Sequence, residues 1–319
     1  EHVGATLYND TQLFLGPNPT PDEELRRIQL IAHETAHAWF GNLVTMDWFD
    51  DVWTKEVFAN HFSAWITEPL FPSVNHKLQR MRTFFASALS EDRTPGTNAI
   101  HQELDNLRNA GLIYGQIIYN KAPVVMGKII ELMGEDAFRE GIREYLRTYA
   151  YSNATWDDLI HILDRHTPED LIAFNDAWVN RKGMPIIRFT PRGNTLEIRQ
   201  TDRYAPGIVR PQRFAVTLSA TGYADTTLEV NLRDSLVRLT LPFAPERVLP
   251  NTDGRAYGLL IPDSASRDWL LAHWHETTDE TTRLARLMLL HENYQACLIP
   301  DALWLDALMN GLRTEANPL

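Results

Sequence analysis

The sequence holds a single cysteine, Cys297, which excludes an internal disulfide framework and a cysteine-built metal cage. As a lone thiol it reads as a buried structural group, and its isolation fits a cytosolic protein, although many secreted bacterial proteins also lack disulfides. No apolar run is long enough to span a bilayer. The nearest stretch, 123–133, carries Lys128 and Glu131. Basic runs are missing too: 30 Lys and Arg against 42 Asp and Glu give a net charge of -12, which argues against a nucleic-acid surface. Internal repeats, low-complexity tracts and a signal peptide are absent. The chain starts at Glu1 instead of a methionine and reads as an excised fragment. What is present is 319 residues, 44% of them hydrophobic, enough for two or three domains with buried cores.

Two stretches organise the chain, His33-Glu34-Thr35-Ala36-His37 and Trp53-Thr54-Lys55-Glu56. Residues four apart stack on one face of a helix, so His33 and His37 can offer two imidazole nitrogens to one ion while Glu34 stands beside them. A catalytic zinc site takes three protein ligands and keeps a fourth position for water. Glu56 is the best candidate for the third ligand, because the intervening residues let one helix end and a second run back alongside. Glu34 is placed to act as general base, taking a proton from the water and passing it to a leaving amine.

A His-Glu-x-x-His match arises by accident in roughly one chain in a hundred of this length, and the context argues against accident. Thr20-Pro21-Asp22-Glu23 is a capping box with proline in the first turn, and Leu25, Ile28, Leu30 and Ile31 supply apolar positions before Gly41-Asn42 ends the helix. Val52, Trp53, Val57, Phe58 and Trp65 recur at helical spacing, which puts Glu56 on a helix whose other face is core. Asn60, one turn later, is placed to orient a ligand.

The stretch HETAHAWFGNLVTMDWFDDVWTKEVFANHF resembles the core of the aminopeptidase N family of gluzincin metallopeptidases, with its His-Glu-x-x-His, eighteen residues, then Glu. The resemblance implies zinc held by His33, His37 and Glu56, one ion per chain, with Glu34 as general base. Ala38 stands where relatives commonly have Gln, and Lys55-Glu56-Val57 where many have Asn-Glu-Gly. Tyr119-Asn120-Lys121-Ala122-Pro123 is similar to the family's Tyr-x-Lys-Gly-Ala, which implies that Tyr119 stabilises the tetrahedral intermediate; Tyr114 is a lesser candidate. The opening Glu1-His2-Val3-Gly4 is similar in position to Gly-x-Met-Glu-Asn, which implies that Glu1 binds the free α-amine of the substrate.

Around these motifs, 1–18 reads as a strand and loop, and the helix carrying Val124 to Met133 should begin near Asn120 with Tyr119 at its mouth. Helices continue over 135–182, one starting at Asp136 and another behind Thr155. From Ile186 to Pro262 apolar residues alternate between Gly- and Pro-containing turns, as in a small β-sandwich. From Asp263 onward the spacing is helical again, with too much apolar surface for two helices to bury alone. The expected architecture is therefore multidomain and mainly α with β: a thermolysin-like catalytic domain over 1–185, a β-sandwich over 186–262 and a truncated α-helical domain over 263–319. His61, His76, His101, His161, His166 and His291 lack partners at metal spacing.

The function read from this is a zinc-dependent aminopeptidase acting on peptide substrates with a free N-terminus. An epoxide hydrolase-type or endopeptidase member of the same fold is an alternative, as is a catalytically silent scaffold that binds partners.

Overall fold

In the computed structural model, residues 2–109 and 115–317 are described. The chain divides into two compact units. The first takes it up to His76 and again from Asn98 to Asn180, and the second comprises Lys77–Thr97 with Arg181–Leu319.

The first unit opens differently from the expected strand. His2 and Ala5 form an isolated bridge across a tight turn with Gly4 at φ 82°, and a short helix α1, Asp10–Leu13, follows behind an Asn9 cap. Val3, Leu7 and Phe14 are exposed, so among the described residues the alternation that suggested a strand finds no sheet to bury its apolar face. Helix α2, Pro21–Ala36, begins where the capping box sets it: Thr20 Oγ1 accepts from Glu23 N–H at 3.3 Å and Glu23 Oε2 accepts from Thr20 N–H at 2.7 Å. It ends earlier than Gly41. After Ala36 the chain tightens, with Ala38 and Trp39 donating to carbonyls three residues back. Phe40 then turns inward to stack on Phe58 and Phe62, with centroids 4.4 and 5.0 Å away.

Strand β1, Val44–Met46, pairs in parallel with β2, Ser152–Ala154. A 3₁₀ turn, Phe49–Asp51, leads into α3, Val52–Thr67. Helices α2 and α3 run antiparallel, as partner positions move oppositely along the two: Ser63 Oγ donates to Gln29 O, His33 meets Asn60, and His37 meets Glu56. Apolar residues surround most of α3, and Val52, Trp53, Val57, Phe58 and Ala59 are all buried.

Helices α4, His76–Arg80, and α5, Ala86–Asp92, follow in the chain. Helix α6, Ala122–Met133, starts from a π-helical turn over Ile117–Lys121, so helical structure begins before Asn120 and Tyr119 lies inside it. Pro123 explains the wider turn. With no N–H at that position the regular ladder loses a bond, and Ala122 N–H instead reaches the Ile117 carbonyl five residues back. The turn and α6 both pack on α3. Helices α7, Glu135–Thr148, α8, Trp156–Arg165, and α9, Leu171–Trp178, complete the first unit; a second capping box, Thr155 with Asp158, starts α8. Phe174, Trp178 and Val179 are core, as their shared stripe predicts.

The second unit contains two sheets and three later helices. Strands β3 (Pro185–Arg192), β4 (Thr195–Asp202), β5 (Gln212–Ser219), β6 (Thr226–Leu232), β7 (Leu236–Thr240), β8 (Arg247–Pro250) and β9 (Leu259–Ile261) form sheets ordered β7-β4-β3-β9 and β6-β5-β8. Inward residues Ile187, Phe189, Leu196, Ile198, Phe214 and Val230 share one core with Leu270, Trp274 and Leu290. Those last three lie on or at the end of helices α10 (Ser264–His273) and α11 (Glu280–Gln295), and α12 (Asp301–Leu312) follows. The Trp274 indole donates to Ala307 O at 2.9 Å and lies where any side chain on Gly311 would collide with it. The 77–97 segment is tied in by Asp92, which accepts from the Tyr257 hydroxyl at 2.8 Å and the Thr97 hydroxyl at 2.6 Å.

Cys297 is exposed, contrary to the buried reading. With φ 57° it is the left-handed residue that closes α11: Cys297 N–H bonds Tyr294 O and Leu298 N–H bonds Asn293 O, a helix stop that turns this residue toward solvent. Among the described residues no helix is long and apolar enough to cross a membrane.

Phe40 links the end of α2 to α3, so Phe40→Ala is expected to destabilise the protein by about 3 kcal/mol, from lost burial and the cavity left between Phe58 and Phe62. Urea unfolding measures this, and a loss under about 1 kcal/mol would show that the stack does not hold the turn.

Candidate active site

Three donors meet between α2 and α3. His33 Nε2 lies 3.2 Å from His37 Nε2 and 3.4 Å from Glu56 Oε2, and His37 Nε2 lies 3.9 Å from the same oxygen. The i,i+4 spacing puts both imidazoles on one face of α2, and the antiparallel return of α3 brings Glu56 opposite them. The rings meet edge to face with centroids 4.8 Å apart. His37 is fully buried, while His33 and Glu56 keep a small exposed fraction.

The outer nitrogens are held as a metal site requires. His37 Nδ1 faces the Phe40 carbonyl at 3.0 Å, and His33 Nδ1 faces Asn60 Oδ1 at 3.0 Å. A carbonyl oxygen only accepts, so each Nδ1 carries the proton and each neutral ring turns an Nε2 lone pair inward. Two lone pairs and a carboxylate oxygen within 3.9 Å repel one another unless a cation or shared proton lies among them. The donor set therefore fits a divalent ion of the zinc type, with two imidazoles and one carboxylate whose outer atoms are already oriented.

Glu56 divides its two oxygens. Oε2 faces the imidazoles, and Oε1 lies 3.5 Å from the Lys55 ammonium. Burial works against the charge of this carboxyl, but the contact with the His33 ring, the Lys55 ammonium and the positive charge that the two imidazoles carry when protonated outweigh it and hold the group below the usual carboxylate range. Lys55 came into the sequence reading only as a departure from the Asn-Glu-Gly pattern. Its approach to Oε1 is a property of the folded helix turn.

Glu34 follows His33 on α2 and is partly exposed. Tyr8 lies close enough to feel its charge: burial raises the phenol's pKa and the Glu34 carboxylate adds to the rise, against a hydrogen bond with Thr6. Nothing in the sequence pointed to Tyr8, since its approach to Glu34 comes only from the folding of the segment before α2. Tyr119 is 39% exposed on the π-helical turn that packs against α3. Glu1 and Tyr114 lie outside the described residues.

Comparison with known proteins identifies the family of the chain. Residues 1–178 match the peptidase family M1 domain, which covers more than half of the chain and both motif stretches. A leucyl aminopeptidase of Saccharolobus solfataricus is 29% identical over 239 residues, 74% of this chain and 30% of the relative. An aminopeptidase N of Lactococcus lactis is 30% identical over 63% of this chain and 24% of its own length. A puromycin-sensitive aminopeptidase of Caenorhabditis elegans is 31% identical over 60% of this chain and 20% of its own length. The chain thus spans less than a third of the length of these relatives. With the family domain matched across the whole helix pair that carries the histidines and Glu56, the chain belongs to peptidase family M1, the aminopeptidase N family.

Proposed function

We propose that the protein is a zinc-dependent aminopeptidase that hydrolyses the N-terminal peptide bond of oligopeptides. The observation that carries the proposal is the convergence of His33, His37 and Glu56 from two antiparallel helices, with Glu34 next to His33 on the same helix. The shared word in the relatives' names, aminopeptidase, supports the substrate class. The finer architecture belongs to the same reading: a thermolysin-like catalytic domain over 1–185, a β-sandwich over 186–262 and an α-helical domain over 263–319.

In this proposal His33, His37 and Glu56 hold the ion, and Asn60 and the Phe40 carbonyl fix the two rings. Zinc, when bound, supplies Lewis acidity that brings a water's pKa to about 7 and polarises a carbonyl. The chain's residues do the rest. Glu34 takes the proton of the attacking water and returns it to the departing amine, so that the nitrogen leaves neutral. The Tyr119 phenol donates to the oxygen that becomes negative as the carbonyl carbon turns tetrahedral. Glu1 pairs with the substrate's α-ammonium, which makes a free N-terminus a requirement and distinguishes exo- from endopeptidase action.

An aminoacyl-anilide assay on the zinc-loaded protein tests the reading. Glu34→Gln is expected to lower kcat by about 10² to 10⁴ with zinc content unchanged, and acetylating the substrate's amine should abolish cleavage. A zinc-loaded wild type without turnover would favour the scaffold reading, and undiminished cleavage of the acetylated substrate would make it an endopeptidase. Tyr119→Phe should cost about 10² to 10³ in kcat with little change in KM, as for loss of one oxyanion donor. A kcat equal to wild type would remove Tyr119 from the chemistry. Asn60→Ala should weaken zinc binding by about 10- to 100-fold, read by competition with a chromophoric chelator at one fixed pH, because protons compete for the imidazoles. Unchanged affinity would mean that His33 is oriented without it.

A further inference from the structure

A second group of potential ligands lies at the other end of α3 from its junction with Glu68. Asp50 and Asp51 close the 3₁₀ turn before α3, and His101 reaches them from the segment after Asn98, where its N–H bonds Val179 O at 3.1 Å. One side-chain atom from each of the three residues lies within 4.8 Å of the others. They line a cavity of about 190 Å³ together with Asp47, Trp156 and Asp157.

The polar atoms here are incompletely matched. Asp51 is only 6% exposed; its Oδ2 accepts from Trp156 N–H at 2.9 Å, but its Oδ1 is buried with no hydrogen-bond partner among the described residues. The Nε2 atom of His101 is likewise buried without a hydrogen bond. It sits 3.8 Å from Asp50 Oδ2, beyond hydrogen-bond reach. Two donors sharing one divalent ion at bonds of about 2.1 Å stand roughly 3 to 3.5 Å apart, so a small inward movement would fit them to an ion. Burial pushes the Asp51 carboxyl up; Trp156 N–H and His101 oppose this, and Asp50 and Asp157 add to it. Four carboxylates with one imidazole make a cavity that favours a cation, and a buried carboxylate oxygen left unpaired is costly.

We propose that Asp50, Asp51 and His101 form a second divalent-cation site, of the class that takes one imidazole with carboxylates, zinc or manganese. An ion there joins the start of α3 to the 98–101 segment. Through the Asp51–Trp156 hydrogen bond it also braces the start of α8, and so holds the helix that presents Glu56.

Zinc titration of the metal-free full chain tests this, with calorimetry for affinity and elemental analysis for stoichiometry. Two ions per chain are expected. One should be lost in Asp51→Asn combined with His101→Gln, and the other in His33→Ala combined with His37→Ala. A single ion that disappears only with the His33 and His37 changes would overturn the second site, as would a count that ignores Asp51 and His101. A single ion that disappears only with the Asp51 and His101 changes would support this site and refute the first. Because Asp51→Asn can disturb folding, His101→Gln alone, at a half-exposed side chain, is the second variant. It should weaken binding of the second zinc ion at least tenfold in the same titration; unchanged binding would remove His101 as a ligand.

Discussion

The interaction on which the site depends is the meeting of a buried carboxylate with two inward-facing imidazole lone pairs. Glu56 cannot sit at 9% exposure beside His33 and His37 without positive charge to answer it. Lys55 supplies part of this charge from outside, at Oε1. The space among the three donors is where the remainder belongs, and the hydrogen bonds to Asn60 and the Phe40 carbonyl leave the imidazoles in the tautomer that turns lone pairs toward it.

The surrounding fold reads as support for that geometry. The early stop of α2 places the Phe40 carbonyl under His37, and the stacking of Phe40 on Phe58 and Phe62 fixes the stop against α3. Ser63 bonding to Gln29 holds the two helices in register one turn farther along. The π-helical turn forced near Pro123 packs on α3 and carries Tyr119 at its surface. The second unit is held differently, with both sheets and residues of α10 and α11 contributing to one apolar core.

Much of this was legible in the sequence because it depends on short-range rules. The capping box at Thr20, the i,i+4 histidines, the apolar spacing of α3 and the alternation of β3 to β7 are local patterns, and each recurs in the structure. Where the reading failed, a local pattern lacked its tertiary partner. Residues 1–18 alternate like a strand, but among the described residues none pairs with them as a strand, and 2–14 hold a turn and a short helix. Cys297 looked like core by residue type, yet the left-handed stop of α11 sets it facing water. His101 lacks partners at metal spacing in the sequence; its neighbours Asp50 and Asp51 are some fifty residues away in the chain and adjacent only after folding.

The sequence by itself determined the donor types, the helix that holds both histidines and Glu34, and the helix that holds Glu56, since these follow from residue identity and a period of 3.6. Only the tertiary structure decided that α3 returns antiparallel at the depth that brings Glu56 Oε2 to 3.4 Å from His33, that Asn60 and Phe40 orient the rings, and that Lys55 faces Oε1. The physical reason is that distances between helices are set by the side chains packed between them, here the Phe40, Phe58 and Phe62 stack, and such packing has no period that a linear pattern can carry.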